Sequence, residues 1–296
     1  MTGSNKTVGL LGLGLVGTAL ARRLLGAGFE VVGYDVDAAK REAFAKIGGR
    51  KMESVARVAQ ECARILVAVF DTDQVEDVVL GKDGVLVGMV SAPGARSLLN
   101  VTTSDPDRIA ALAARVAERN VTLLEVPISG TSQQIEKGDG VGLIAGERAA
   151  FEAHTDIFDA ICPRRYFVGA IGNGGKAKLA VNLILNLNRA ALAEGLVFAE
   201  RLGLDPKEFL EVARGSAAYS QIMDVKGGKM VSRDFSAQVR VTQTLKDVHL
   251  MLDYARRAGQ ALPLGTVAES LLAGCVSHDE GDWDNCAVIE EIRRRG

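Results

Sequence analysis

The sequence predicts an α/β domain built on a doubly wound, mostly parallel sheet, followed by an all-α domain. Three observations carry that expectation. A glycine-rich turn near the start joins an apolar run to a helical pattern. Apolar runs and helical stretches then alternate to about residue 165, as they do in α/β folds. From Gly169 onward the strand signals almost vanish. A chain of 296 residues suits about two domains. The expected division is 1–168 and 169–296, with a long interdomain helix between them.

The first apolar run leads into Gly12, Gly14 and Gly17, spaced G-x-G-x-x-G around Leu13, Leu15 and Val16. A helix pattern through Ala19, Leu20, Leu24 and Leu25 follows, and a second run, Val31–Tyr34, ends on Asp35. Strand, tight turn, helix, strand and terminal carboxylate in that order form a Rossmann-type dinucleotide fingerprint. Gly12 allows the turn, Gly14 lets backbone approach a pyrophosphate, and Gly17 lets helix pack closely on strand. The diphosphate then meets the free N–H groups and positive dipole end of a helix. Asp35 is placed to accept hydrogen bonds from a ribose diol and to repel a 2′-phosphate, so NAD is expected rather than NADP. Lys40 and Arg41, a little further on, are read as a solvated helix face.

Later runs at 65–69, 98–102, 122–126 and 141–145 read as strands, and Asp107–Glu118 as a helix. The glycine-rich segment from Gly169 to Gly175 reads as a hinge opening a long helix, Lys176 to about Leu202. That helix is apolar around most of its circumference, which predicts burial between layers. Asn182, Asn186, Asn188, Arg189 and Glu194 interrupt it and exclude a membrane span. Asp205-Pro206-Lys-Glu208 places an acceptor at N-cap, proline at N1 and glutamate at N3 of another helix. Arg240–Arg257 and Thr266–Cys275 are helical in pattern.

The composition, 48% hydrophobic and 24% charged with a formal net charge of −2, is that of an ordinary globular protein. No basic run points to nucleic acid and no cationic amphipathic helix to a membrane surface. The opening residues contain no signal-peptide core, so a cytoplasmic protein is expected. The four cysteines show no C-x-x-C or zinc spacing, and the three histidines are far apart. Buried thiols and no metal site are expected.

Four segments are candidates for chemistry, and each also has a plain structural reading. Lys178 and Asn182 are four apart on the long helix and project from one face. Partial desolvation beside a hinge lowers a lysine pKa toward the range useful for proton transfer; otherwise the pair is a snorkelling lysine and a packing asparagine. Glu125-Val-Pro-Ile-Ser129-Gly130-Thr131 follows a strand and offers a hydroxyl and close-approaching N–H groups to an anion, or is a strand-ending turn. Asn100–Pro106 is a strand end, with Ser104 or Asp105 as N-cap before Pro106. Lys246-Asp247 sits in a helical segment, where a charged surface face is the alternative.

In this order, behind that fingerprint, the four segments resemble the β-hydroxyacid dehydrogenase family over nearly the whole chain. Its G-L-G-x-M-G resembles Gly12–Gly17, with Val16 in place of methionine. Its D-x-S-T-x-x-P is similar to Asn100–Pro106, which implies a cofactor contact for Thr103. Its D-A-P-V-S-G-G is similar to Glu125–Thr131, which implies substrate-carboxylate contacts for Ser129, Gly130 and their neighbour Thr131. Its G-x-G-x-x-x-K-x-x-N-N resembles Gly172–Asn182, which implies Lys178 as general acid/base and Asn182 as its orienting partner. Its K-D pair is similar to Lys246-Asp247, which implies Lys246 near cofactor or substrate, and its D-x-S-A-V resembles Asp284–Val288. The departures are Thr131 for the second glycine, followed by Ser132-Gln133-Gln134; Val181 for the first asparagine; and Phe70 for proline, at the Val69–Phe70 cofactor contact. The resemblance implies NAD-linked interconversion of a small β-hydroxy acid and its aldehyde or keto acid by a homodimer or homotetramer. Rival readings are an imine reductase, a 6-phosphogluconate-type oxidative decarboxylase, and a non-catalytic dinucleotide-binding protein.

Overall fold

The computed structural model describes residues 6–89 and 96–296. The chain divides into two compact units, Met1–Lys178 and Leu179–Gly296. In the first, strands β1 (Thr7–Leu11), β2 (Glu30–Tyr34), β3 (Arg50–Lys51), β4 (Arg64–Val67) and β5 (Arg96–Asn100) are followed by β6 (Val121–Glu125), β7 (Ile128–Ser129), β8 (Val141–Ala145) and β9 (Arg164–Gly169). The intervening helices are α1 (Leu15–Gly26), α2 (Ala38–Lys46), α3 (Val55–Glu61), α4 (Thr72–Leu80), α5 (Val85–Gly88), α6 (Pro106–Ala117), α7 (Ser132–Lys137), α8 (Arg148–Ala153) and α9 (Thr155–Ile161).

The sheet runs β3-β2-β1-β4-β5-β6-β8-β7, with β9 also on β8. The six strands from β3 to β6 are parallel, in the order that defines a doubly wound dinucleotide fold. Alternate residues of the central strands feed two cores: Val8, Leu10, Leu66, Leu99 and Leu124 on one face, Leu11, Ile65, Val67, Leu98 and Leu123 on the other. A sheet buried on both faces explains the near-continuous apolar runs. The expectation of a mostly parallel sheet holds with one local exception. β8 is antiparallel to β6 and β7, because the chain reverses through α7 after two residues of β7. β3 and β7 are two residues long, too short to leave an alternating pattern.

The second unit is helical. α10 (Asn173–Arg201) begins in the first unit and continues into the second, and is followed by α11 (Pro206–Arg214), α12 (Gly228–Ser232), α13 (Val241–Arg257), α14 (Pro263–Ser277) and α15 (Val288–Arg295). Asp205 caps α11 by accepting from the Lys207 and Glu208 N–H groups, with proline at the first turn as expected. α10 departs from the expected all-round burial. Leu192, Ala193 and Leu196 are in the core, but Ile184, Phe198 and, just past its end, Leu202 are each 60–63% exposed. No helix among the described residues is long and apolar enough to cross a membrane.

A buried ion pair organises this unit. Lys226, in a π-helical turn before α12, places Nζ 2.8 Å from both carboxylate oxygens of Asp284. Asp284 is fully buried and also accepts the N–H groups of Gln238, Val239 and Cys286. The Asp284–Val288 motif therefore ties the start of α15 to the segments before α12 and α13. α15 carries Glu290 and Glu291 in its first turn and arginines in its last, matching the helix dipole. Arg293 pairs with Glu200 and Arg294 with Glu280.

Removing one partner of a buried ion pair leaves the other charge uncompensated. Asp284→Ala is expected to lose about 3–5 kcal/mol of stability in urea unfolding; the double change Lys226→Met, Asp284→Leu should lose less. Burial raises the Asp284 pKa, but the Lys226 charge and the donated hydrogen bonds outweigh it, so the pKa lies below the usual aspartate value. Its contribution is therefore present at neutral pH and lost as pH falls below about 3.9 through the lower folded-state value. The stability gap between wild type and Asp284→Ala should narrow over that acid range.

Candidate functional site

The glycine-rich turn has the geometry its sequence implies. Gly12 has φ +94°, and a Cβ there stands 2.4 Å from the Ala68 carbonyl oxygen. A Cβ at Gly17 stands 2.0 Å from the Gly12 oxygen, so α1 packs on β1 at a distance only glycine permits. At Gly14 a Cβ meets nothing within 4 Å. Gly14 is the N-cap of α1 and has no side-chain cap, and no acidic residue occupies the first turn. Leu15 and Val16 are 44% and 36% exposed, apolar side chains held at the surface beside that open space. Uncapped N–H groups facing open space at the end of a 12-residue helix fit the diphosphate of a dinucleotide.

Asp35, just past β2, is buried and does more than the sequence suggested. Its Oδ2 accepts the Leu13 N–H at 2.8 Å and its Oδ1 the Asp37 N–H at 2.9 Å. It thus braces the glycine turn while keeping acceptor capacity on each oxygen. The solvated face expected for Lys40 and Arg41 holds for Lys40, which is exposed, and not for Arg41, which is half-buried. Lys40 Nζ lies 3.7 Å from Asp35 Oδ1, and Arg41 donates to the Asp35 and Val36 carbonyls while lying over the Tyr34 ring. An exposed carbonyl pair at the end of a strand attracts a guanidinium that composition alone assigns to solvent.

At the ends of β4 and β5, Thr102 Oγ1 accepts the Val69 N–H at 3.0 Å and donates to the Val69 carbonyl. Phe70 is 39% exposed, and its N–H donates to Gln74. Thr103 follows, half-buried. Asp105, not Ser104, caps α6; Ser104 bonds Asn100 within the turn.

The segment after β6 and the first turns of α10 come together within the first unit. Lys178 is 7% exposed, and its Nζ donates to the Ile128 carbonyl at 2.8 Å. Ser129 and Gly130 come next in the chain, both half-buried, with Gly130 at φ +150°. Thr131 is buried and caps α7. Its Oγ1 accepts the Gln134 N–H while the Gln134 side chain accepts the Thr131 N–H. The departure from glycine at 131 thus serves a capping box. Glu125, which sequence reasoning passed over, is 2% exposed and bonds the N–H groups of Gly172, Gly174 and Gly175. The signal was a carboxylate at a strand end combined with a helix opening on glycines.

In the second unit, Asn182 stands one turn beyond Lys178 on α10, and its Nδ2 donates to Asp247 Oδ2 at 3.2 Å. Asp247 Oδ1 is 2.7 Å from Lys246 Nζ. The K-D pair is therefore a link to Asn182, not a solvated charged face. Among the described residues no group of three or more His, Cys, Asp or Glu is arranged to hold a metal ion. The four cysteines are buried and free. Burial pushes the thiols of Cys62, Cys162 and Cys275 up to about 12, and Cys286 upward as well.

The doubly wound sheet, the uncapped glycine turn and the carboxylate after β2 define a dinucleotide-binding protein with an appended helical unit. Residues 7–169 match the profile of the NAD binding domain of 6-phosphogluconate dehydrogenase. Residues 172–292 match the NAD-binding family of NADP-dependent 3-hydroxyisobutyrate dehydrogenase. The chain is 27% identical to the chloroplastic glyoxylate/succinic semialdehyde reductase 2 of Arabidopsis thaliana, over 97% of its own length and 79% of that protein's. It is 29% identical to the human cytokine-like nuclear factor N-PAC, spanning 97% of this chain and about half (52%) of that protein. A solved 3-hydroxyisobutyrate dehydrogenase from Salmonella typhimurium superposes with a TM-score of 0.86 at 26% identity, covering 96% of this chain and 99% of the other. The chain belongs to the β-hydroxyacid dehydrogenase family.

Gly14 supplies a direct check of the cofactor cradle. Its φ of −71° and ψ of −163° suit alanine, and the space at its Cβ is open. Gly14→Ala should therefore keep the wild-type melting temperature yet raise the NADH Kd by about tenfold or more, about 1.4 kcal/mol. Calorimetric titration beside thermal melting measures both.

Proposed function

We propose that this protein interconverts a small β-hydroxy acid and its aldehyde or keto acid, using NAD, with Lys178 as general acid/base. The observation that carries the reading is the placement of Lys178. Its amine is buried, bonded to the carbonyl of Ile128, and one residue from the Ser129–Gly130 segment. In this reading residues 1–168 bind the cofactor and 169–296 serve substrate and assembly. Gly12 to Gly17 hold the diphosphate, and Asp35, Val69, Phe70, Thr103 and Lys246 make the remaining cofactor contacts. The bound nicotinamide supplies or accepts the hydride. Ser129, Gly130 and Thr131 hold the substrate carboxylate; since the Thr131 hydroxyl and N–H are both engaged in the cap of α7, Thr131 shapes this end by its bulk. Asn182, oriented by Asp247, faces the reacting oxygen, and Lys178 exchanges the proton with it. The names of two of the three relatives above, a glyoxylate/succinic semialdehyde reductase and a 3-hydroxyisobutyrate dehydrogenase, support this class of substrate.

The buried Asp35 carboxylate supports NAD over NADP, and Lys40 softens that preference by partly neutralising it. The exposed apolar positions Ile184, Phe198 and Leu202 support a homodimer or homotetramer formed through this face of α10.

Two measurements test the reading. With glyoxylate, succinic semialdehyde, tartronate semialdehyde and methylmalonate semialdehyde as substrates, NADH consumption should be seen for at least one. Lys178→Ala should lose about 10²–10⁴-fold of that turnover at unchanged NADH affinity. Near-wild-type turnover in the variant removes Lys178 from the mechanism, and faster reduction of a cyclic imine than of every aldehyde acid moves the protein to the imine reductases. For the cofactor, NADH should bind more tightly than NADPH. Asp35→Asn should weaken NADH by about tenfold, since a hydrogen bond to a charged group is worth about 1.5–3 kcal/mol. Tighter binding of NADPH by the wild type overturns the preference.

A further inference from the structure

Glu125 closes β6 at the register position opposite Asn100 of β5 and Ala145 of β8. Its carboxylate reaches the start of α10. Oε2 accepts the N–H of Gly172 at 2.5 Å and of Gly174 at 3.2 Å, and Oε1 accepts the N–H of Gly175 at 2.8 Å. These are donors that a helix N-terminus otherwise leaves without an intrahelical partner. The approach depends on glycine. A Cβ at Gly174 stands 2.8 Å from the Glu125 Cβ, and one at Gly175 stands 3.1 Å from Oε1 and from Pro106 Cγ. Lys178 follows Gly175 by three residues, less than one helical turn. Its amine returns to the Ile128 carbonyl, three residues beyond Glu125 on the same strand exit. Four bonds therefore clamp one segment: three join a strand side chain to helix backbone, and one joins a helix side chain to the backbone at the strand exit.

We propose that Glu125 is a positioning residue for the reaction: its carboxyl group fixes the first turn of α10 against β6 and so sets where the Lys178 amine stands beside Ser129 and Gly130. The proposal rests on the reading of Lys178 as proton donor and acceptor. The three partners are all donors, so the site requires an acceptor on both oxygens. Glutamine supplies one acceptor and turns an NH₂ group toward the other N–H, whatever the ionisation of the glutamate. Burial raises the Glu125 pKa, against the three backbone N–H groups and the Lys176 charge, which lower it.

The test compares wild type, Glu125→Gln, Glu125→Asp and a stability control, Ile144→Val, at a fully buried position of β8. Each is assayed for turnover of succinic semialdehyde and glyoxylate with NADH. Each is also assayed for the pH dependence of acetic anhydride labelling at Lys178, read by mass spectrometry. Glu125→Gln should lower kcat on the order of 100-fold, the effect of a displacement of about 1 Å, with NADH affinity within about twofold. The labelling midpoint of Lys178 should move by about half a pH unit or more. Glu125→Asp, which keeps two acceptors but falls a methylene short, should lie between glutamine and wild type. Ile144→Val should lower the melting temperature and leave the midpoint in place. An unmoved labelling midpoint in both Glu125 variants overturns the proposal even where turnover falls. If Glu125→Gln does not fold, Glu125→Asp decides by the same midpoint. Should Lys178→Ala retain activity while the midpoint moves, Glu125 positions Lys178 as proposed and the reading of Lys178 as the acid/base is what fails.

Discussion

The arrangement of the first unit depends on one buried carboxyl group meeting one helix end. α10 begins against the sheet with Gly172, Gly174 and Gly175 buried, where its first N–H groups would otherwise be unpaired. Leaving a buried polar group unsatisfied costs roughly 1–3 kcal/mol, and Glu125 answers three such groups at once. The raised pKa of Glu125 shows that burial is the larger influence on its charge. The fold accepts that cost because the contact joins β6 to α10 at the level where Lys178 and Ile128 meet. Gly174 follows from the contact, since a Cβ there stands 2.8 Å from the Glu125 Cβ, and at Gly175 a Cβ at 3.1 Å from Oε1 would ask the carboxyl group to give way by a few tenths of an ångström.

Asp35 repeats the device at the other end of the sheet. It too is a buried carboxylate just beyond a parallel strand, and it too spends its acceptors on backbone N–H groups, those of Leu13 and Asp37. The carboxylate is therefore already oriented, and preorganisation of this kind lowers the entropic cost of association for any donor it meets. The neighbouring Lys40 lies 3.7 Å from the same carboxylate.

The elements with strong periodicity were legible in the sequence: β1, α1 and β2 with their glycines, the strands β4 to β6 and β8, the Asp205 cap of α11, and helices α13 and α14. What escaped was made by tertiary contact. β3 and β7 carry two residues each and exist because a neighbouring strand pairs with them. The reach of Glu125 spans 47 to 50 residues, and the Lys226–Asp284 pair spans 58, so neither leaves a local pattern. α10 read as buried throughout because Ile184, Phe198 and Leu202 are apolar; hydropathy does not say which apolar positions a second surface covers. Lys178 and Asn182 could be placed on one helical face by spacing alone, but Asp247 as the partner of Asn182 needed α13 folded beside α10 in the second unit.

The link from Asn182 to Asp247 also fixes how the amide is turned. Nδ2 donates one of its two hydrogens to Asp247, which leaves the second N–H to donate and Oδ1 to accept. A carboxylate cannot receive a bond from Oδ1, so the exchange of amide ends that an isolated asparagine permits is closed here by Asp247. Lys246, at 2.7 Å from the other oxygen of Asp247, holds that carboxylate in place in turn. The amide thus presents an acceptor and a donor in one fixed orientation, able to meet a hydroxyl through Oδ1 or a carbonyl through the second N–H.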